Sequence, residues 1–453
     1  MRKFITPIQL IALALFFPLP GLAQSVPPTV TYRFLVLQST AGSGLQFLGK
    51  GKMNASGQAV WHASFVDGEQ SIFLGNGNSS TAIVSTLGTD FVELGDPDIN
   101  DAGDVVFHGG ERPASPQDPF TGIYFWQNGV ALNRVLRAGD VVPDALIDPD
   151  KNIILTAFNT SPKINDSGFI MVPLQIFDGQ VGGGSAFLDR IYLYAPTSEN
   201  LIPLYEASNL HDVVVPGRPW DYASFALEAH VNNAERVAFW GTTRNPDGII
   251  IDDGAIVRGG VDPASPFDSL PLDEIANNTG DLAALRSHMA LNESGDVFYQ
   301  ARPNAGDPHD GLFIRRESTT TTVVAPDDPD ITDLEDFALV VMNDAREVAF
   351  ESSFPGFPNS LLVWNPTEGA RRVYSATPAD PELLDLADEP LRPGVALLGS
   401  EIYDIDEEGN LLLRLIFEDL TEMMVIGVVP IPDPTEPELI YENSFELNNL
   451  EIP

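Results

Sequence analysis

Short stretches of alternating apolar and polar residues recur along the chain, separated by turn-forming segments. After one such turn, Val105 and Phe107 stand two residues apart, the spacing that places side chains on one face of a strand. Helical patterning is scarce, and residues 281–288 and 381–386 are the segments that favour short helical turns. The pattern therefore predicts an all-β protein built from many short strands.

One turn motif occurs seven times between residues 53 and 413. Each copy has an apolar residue, Asn, two mostly polar or small residues, Gly, a variable residue, and a strand that ends in an aromatic or large apolar residue. The Asn oxygen can accept a bond from a backbone N–H two residues on, and Gly supplies the positive φ of the turn. The turn positions are Asn54, Asn100, Asn165, Asn232, Asn292, Asn343 and Asp406, with Gly57, Gly103, Gly168, Gly295 and Gly409. We assign these residues a structural role, because a catalytic Asn would not be needed seven times.

Each motif is followed by further apolar segments, which together give about four strands per unit. A second segment begins 16 to 25 residues after the Asn or Asp in every copy, and most copies carry another strand beyond it. Four strands are the count of a β-propeller blade. Successive motifs lie 46 to 67 residues apart, so the units differ in their insertions. A solenoid and a pair of β-sandwiches are the alternative arrangements.

The two ends of the repeat region complement each other. After Val429 the chain becomes Pro-rich, and such sequence cannot supply a further inner strand to the last unit. Residues 31–37 form an extra strand before the first complete unit. If this strand completes the last blade, the ring closes and both open edges disappear. We therefore predict a seven-bladed β-propeller of four-stranded antiparallel blades over residues 24–430, closed by the N-terminal strand.

The motif resembles the tandem Asn-x-x-Gly-x-x-Ala-Phe repeat of a group of secreted bacterial proteins of the choice-of-anchor type. The clearest matches run from Asn100 to Phe107 and from Asn232 to Phe239, and the resemblance covers roughly residues 31–430. It implies an exported, β-propeller-like protein with no established biochemical activity.

The N-terminus has the features of a cleaved signal peptide, which we place at residues 1–23. Arg2 and Lys3 form a basic start, and residues 8–17 are apolar. That apolar stretch is shorter than the roughly 20 residues of a membrane-spanning helix. We expect a secreted, cell-surface or periplasmic protein with no transmembrane segment in the mature chain. Residues 431–453 form an acidic tail, Pro-rich at its start, outside the propeller.

The charge balance limits the class of partner. The chain has 65 Asp and Glu against 24 Lys and Arg, a net charge of −41, and this field repels nucleic acid. It has no cysteine, so an apolar core rather than disulfides must stabilise an exported chain. The simpler interpretation of the carboxylates is that they keep a monomer soluble. The alternative is that some of them bind divalent cations or a basic partner.

Few residues form a pattern with recognisable chemistry. The six His residues include no pair at zinc-ligand spacing, and no nucleophile elbow or phosphate loop is present. Four Asp residues follow predicted fourth strands and are the candidates for a metal site, with Ca²⁺ as the metal: Asp140, Asp262, Asp327 and Asp380. The alternative is that Asp simply favours such turns.

Two functional hypotheses follow. The first is an exported, non-catalytic propeller that binds an unknown extracellular ligand or protein, or serves as a cell-surface component. The second is a propeller-type hydrolase or lyase that acts on a polysaccharide or a lactone with a metal held by acidic loops. A convergent Asp, Glu, His and Asn cluster in the central channel would favour the enzyme. A channel filled by apolar or unpaired polar residues would favour the binding protein.

Overall fold

The computed structural model describes residues 27–428, except 28, 78, 113–120, 144–151, 159–160, 179–185, 197–199, 209–221, 245–249, 263–264, 270–272, 278–281, 329–332, 335–340, 355–356, 376–382 and 388. The proposed signal peptide, residues 1–23, and the acidic tail, residues 431–453, lie outside the described residues.

The described chain forms seven antiparallel sheets, which are the blades of a propeller. The strand β1 (Arg33–Ser39) precedes blade 1, whose strands are β2 (Leu45–Met53), β3 (Ala59–Phe65), β4 (Gln70–Gly75) and β5 (Ser80–Ser85). Blade 2 contains β6 (Phe91–Ile99), β7 (Val105–Glu111), β8 (Thr121–Gln127) and β9 (Ala131–Arg137). Blade 3 contains β10 (Val141–Pro143), β11 (Asn152–Phe158), β12 (Lys163–Ile164), β13 (Ile170–Asp178), β14 (Ala186–Ala195) and β15 (Asn200–Ser208).

The remaining four blades follow in chain order. Blade 4 contains β16 (Tyr222–Val231), β17 (Arg236–Arg244), β18 (Ile250–Asp262), β19 (Ser265–Ser269) and β20 (Asp273–Asn277). Blade 5 contains β21 (Ala284–Leu291), β22 (Val297–Arg302), β23 (Gly311–Arg316) and β24 (Thr319–Val324). Blade 6 contains β25 (Asp333–Leu334), β26 (Val341–Met342), β27 (Val348–Phe354), β28 (Phe357–Asn365) and β29 (Gly369–Ser375). Blade 7 contains β30 (Leu397–Ile405), β31 (Leu411–Phe417) and β32 (Glu422–Val428).

The ring closes through β1, as the sequence predicts. This strand pairs antiparallel with β32, from Arg33 opposite Val428 to Ser39 opposite Met423. The order in blade 7 is therefore β1-β32-β31-β30. The seven-bladed architecture and its closure are confirmed. One detail differs: β1 is the outermost strand, not an inner one, because each blade begins at the channel and ends at the outside.

Among the described residues, each pair of neighbouring blades encloses one apolar cluster, and these seven clusters form the core. The aromatic or large apolar residue after each motif turn contributes to them, and Trp61, Phe107, Phe239 and Phe350 are at most 1% exposed. Trp61 of blade 1 packs with Leu412 and Met424 of blade 7. The contact between the last and the first blade is thus of the same kind as the others.

The helical turn predicted at residues 281–288 is wrong, because Ala284–Leu291 forms β21 and pairs with β22. Cross-strand bonding here outweighs the weak local preference. In the second predicted turn, residues 383–386 contain isolated bridges, Leu384 with Pro390 and Asp385 with Phe34. Within the part of the chain that is described, no helix has the length and apolarity needed to cross a membrane.

Candidate functional site

The motif turns end the first strand of each blade, at one end of the central channel, which we call the mouth. The Asn oxygens accept bonds from the N–H four residues on: Asn100 from Asp104, and Asn292 from Asp296, at 2.9 and 2.8 Å. The five motif glycines have φ between 71° and 82°. In the two copies without Gly, Glu235 and Arg346 adopt φ of 56° and 63°. The turn geometry therefore persists at a cost of about 1–2 kcal/mol for each non-Gly residue.

The motif Asn side chains also join neighbouring blades, a role that the sequence did not suggest. In five of the six motif Asn residues, Nδ2 donates to the backbone carbonyl of the motif residue in the next blade. Five bonds of 2.8–3.3 Å result: Asn54 to Asn100, Asn100 to Asn165, Asn165 to Asn232, Asn232 to Asn292, and Asn343 to Asp406. Among the described atoms, Asn292 Nδ2 has no partner. Asp406 has no amide group and cannot donate such a bond to blade 1. Asp404 makes the contact between these two blades instead, as described below.

A second circle of contacts lies directly beside the first, at the residues that follow the motif Asn or Asp. We call these residues the acidic ring: Asp101, Asp166, Asn233, Glu293, Asp344 and Glu407, with Ala55 at the seventh place. The backbone N–H of each residue donates to the side chain of the next, at 2.5–3.3 Å from Ala55 round to Glu407. Five carboxylates thus meet at the mouth. The sequence did contain this signal, as an acid directly after the motif residue in five of seven copies.

Ionisation of the acidic ring is unfavourable, because its carboxyl groups are partly buried and lie near one another. Burial, followed by the charge of Asp344, raises the pKa of Glu293 to about 7 despite the Asn233 N–H bond. Burial, again followed by the Asp344 charge, raises the pKa of Glu407 to about 7. The pKa values of Asp101 and Asp344 are also raised, mainly by burial. Binding of protons or of another cation would reduce this unfavourable free energy.

A third circle lies deeper, two residues before each motif position, and we call it the inner layer: Lys52, Asp98, Lys163, His230, Ala290, Val341 and Asp404. Opposite charges alternate over blades 7, 1, 2 and 3. Lys52 Nζ lies 2.9 Å from Asp404 Oδ1, and Asp404 Oδ2 accepts the Met53 N–H at 2.9 Å. This pair joins blade 7 to blade 1, where the motif amide is lacking.

Asp98 is the most deeply buried charge of the inner layer. Its Oδ2 accepts the Ile164 N–H at 2.8 Å, which ties blade 2 to blade 3. Burial raises its pKa, against the opposing charges of Lys163 and Lys52.

Two adjoining cavities occupy the channel. The outer cavity, about 310 Å³, is lined by the acidic ring and by charged members of the inner layer. The inner cavity, about 160 Å³, lies deeper and is lined by Lys50, Asp96 and Tyr403 among others. The residues common to both cavities are Lys52, Lys163, His230, Leu291 and Asp404. The channel therefore offers a continuous polar path from the mouth inward.

Of the four Asp residues that the sequence suggested for Ca²⁺, Asp140 and Asp327 have described side chains, and neither lines these two cavities. Asp140 follows the outermost strand of blade 2, and its Oδ2 accepts the Arg137 N–H at 2.7 Å. Asp327 is exposed after β24. Asp262 lies on β18, but its side chain and the whole of Asp380 lie outside the described residues. Over the described ranges, no group of three or more metal-ligating side chains is placed to hold an ion, and the Ca²⁺ site stays a prediction.

No protein-family model matches the sequence, and no curated protein matches it either. Solved structures show distant likenesses. A polysaccharide lyase, Uly1, aligns with 9% identity and a TM-score of 0.43 over 89% of this chain and 98% of its own. An uncharacterized protein of Listeria monocytogenes aligns with 12% identity and a TM-score of 0.39, over 91% of this chain and 99% of its own. The Aleuria aurantia lectin aligns with 12% identity and a TM-score of 0.33, over 73% of this chain and 96% of its own. At these values the activities of those proteins do not transfer to this chain.

The raised carboxyl pKa values predict an unusual pH dependence of stability. Between the ordinary Glu value of 4.5 and about 7, the folded chain binds protons at Glu293 and Glu407 that the unfolded chain has released. Their contribution is therefore full below that window and is lost as the pH rises through 7. We expect the unfolding temperature to fall by roughly 1–3 °C between pH 5 and pH 7.5 on account of these two groups.

The measurement is thermal unfolding across this pH range for the wild type and for the double variant Glu293→Gln, Glu407→Gln. Burial lowers the pKa of His62 and of His108, which opposes the trend in both proteins alike. The difference between the two curves isolates the carboxyl groups. Parallel curves would show that neither carboxyl titrates abnormally.

Proposed function

We propose that this chain is an exported, non-catalytic binding protein that takes up an organic cation at the mouth of its central channel. The observation that carries the proposal is the convergence of the acidic ring on one cavity of about 310 Å³. Eight carboxyl groups line that cavity against two lysines, Lys52 and Lys163. A ligand with ammonium or guanidinium groups would replace the protons that Glu293 and Glu407 otherwise hold near neutral pH.

The geometry of the ring favours a ligand with several spaced N–H donors. One oxygen of each ring carboxylate accepts a backbone N–H from the preceding blade, so the group is fixed in place. Asp166 Oδ2 accepts the Asn233 Nδ2–H, and both Glu407 oxygens lie 3.2–3.3 Å from the Asp344 nitrogen, so the remaining carboxylate oxygens of the ring are the ones left for a ligand. These oxygens are distributed around the mouth, so a ligand with several spaced ammonium or guanidinium groups can donate to more than one of them. The net charge of −41 adds a long-range field that draws cations to the surface.

We propose that this site acts outside the cytoplasm. The basic start and apolar stretch of residues 1–23 support secretion, a cell-surface location or the periplasm. We propose a monomer that meets its ligand there. The field that draws cations also works against nucleic acid as a partner.

A hydrolase or lyase that acts on a polysaccharide or a lactone is the second candidate, because one observation favours it. Lys163, His230 and Asp404 converge where the two cavities meet, and such a polar cluster can supply an acid and a base. Asp404, however, is engaged by Lys52 and by the Met53 N–H. The contact between blades 7 and 1 already accounts for the position of Asp404, so we favour a binding protein over an enzyme.

The test is calorimetric titration of the mature chain at pH 8 with spermidine, with CaCl₂ and with hexanoate. We expect spermidine to bind, hexanoate not to bind, and Glu407→Gln to weaken spermidine binding roughly tenfold. Binding should also weaken below pH 7, where Glu293 and Glu407 take up protons.

Glu418→Gln is the matched control. Glu418 is exposed at the turn between β31 and β32, in the same blade as Glu407 but at the opposite end of the channel. If both variants weaken spermidine binding equally, the attraction comes from the negative charge of the whole surface, and the mouth is not a specific binding site. If CaCl₂ binds and spermidine does not, the site is a metal site and the proposal is wrong.

A further inference from the structure

The sign of the charge changes along the channel. Eight carboxyl groups and two lysines line the outer cavity. The inner cavity has three lysines, Lys50, Lys52 and Lys163, against Asp96 and Asp404. The formal charge of the lining therefore changes from strongly negative at the mouth to slightly positive inside, before any charge on His230 is counted.

Two of the inner lysines have no close partner in the described part of the chain. Lys52 is held by Asp404 at 2.9 Å, but no ion pair or hydrogen bond engages Lys163 or Lys50 among the described residues. Lys163 is half-buried and feels Asp98 only as a nearby charge. A half-buried ammonium without a hydrogen-bond acceptor is costly, and an anionic group in the inner cavity would remove that cost.

The two charged zones lie within the length of a small molecule. Asp166 and Lys163 are three residues apart along one strand and its turn, and each residue advances an extended chain by about 3.3 Å. The backbone positions of Asp166 and Lys163 are therefore at most roughly 10 Å apart. Lys50 lies deeper by about two further residues of strand.

We infer that the ligand of the channel is an extended zwitterion, with its ammonium group at the acidic ring and a carboxylate in the inner cavity at Lys163 and Lys50. The inference rests on the proposed cation site and deepens it by naming the ligand class. The carboxylate accepts charge-assisted hydrogen bonds from the two lysines. A simple amine uses only the outer half of the site, and a diamine places a second positive charge beside the lysines.

The experiment compares four six-carbon probes by calorimetry at pH 8: 6-aminohexanoate, hexylamine, 1,6-diaminohexane and hexanoate. We expect 6-aminohexanoate to bind tightest and the diamine to bind less tightly. Lys163→Met should weaken 6-aminohexanoate roughly tenfold and leave hexylamine unchanged or tighter. Lys163→Arg, which keeps the charge, should retain most of the affinity.

Lys50→Met serves as a second variant, because Lys50 is exposed and its loss should leave folding intact. If hexylamine or the diamine binds as tightly as 6-aminohexanoate, or if both Met variants leave all four affinities unchanged, the inner cavity is not an anion site. The cation site would then still stand. If no amine binds and Glu407→Gln changes nothing, the proposed function itself fails.

Discussion

Replacing Phe34 by alanine is expected to lower the free energy of unfolding by about 3–5 kcal/mol. Phe34 lies on β1, is 1% exposed, and packs into the cluster shared by blades 6 and 7. Its ring lies so close to Gly427 of β32 that an added Cβ there would meet it at 3.1 Å. Truncation leaves a cavity at the seam where the ring closes, and the surrounding strands cannot collapse to fill it. Urea denaturation measures the loss.

Val36→Ala is the control, since Val36 lies on the same strand but is 37% exposed. It should cost less than about 1 kcal/mol. Similar costs for the two variants, or a negligible cost for Phe34→Ala, would show that β1 is not packed as the closing strand of blade 7.

Asn232→Ala is expected to lower the free energy of unfolding by about 3 kcal/mol, because this side chain stabilises its own turn and also bonds to the next blade. Its Oδ1 accepts the N–H groups of Ala234 and Arg236, at 3.1 and 2.9 Å. Its Nδ2 donates to the carbonyls of Asn292 and Glu293 in the next blade, at 3.0 and 3.2 Å. The residue is 1% exposed, so water cannot easily replace these bonds.

Asn292→Ala separates the two purposes. Asn292 accepts the Asp296 N–H in its own turn, but its Nδ2 makes no bond within the described structure. Its truncation should therefore cost about 1–2 kcal/mol less than that of Asn232. Equal costs in urea denaturation would mean that the motif Asn stabilises only its own turn and contributes nothing between blades.

The blades could be predicted because their signals are local. An Asn oxygen and a following Gly define a turn within one unit, and the alternation after the turn defines the strand, whatever the rest of the chain does. Ring closure could be predicted because the last unit lacks a fourth strand, whereas residues 31–37 supply an extra strand before the first unit. Residues 281–288 were misjudged because the partner strand β22 decides their conformation.

The candidate site could not be predicted in the same way, because it is made between blades. Whether Asp101 turns its carboxylate to solvent or to the Ala55 N–H depends on how two blades pack, and no local pattern contains that information. The local pattern instead favours acids that follow the predicted fourth strands. Asp140 follows β9, the outermost strand of blade 2, and completes a turn there with Arg137.

The pairing of β1 with β32 has a consequence for the timing of folding. Among the described strands β1 comes first along the chain and its partner β32 comes last, so Arg33 meets Val428 only after the strands of all seven blades have been synthesised. Contacts of such sequence separation are slow to form, because the entropy of a very long loop must be lost before they are gained. An incomplete chain therefore keeps an open seam between its ends. For a polypeptide that crosses a membrane unfolded, as export would require, this delay keeps it competent for transport until its final strand emerges.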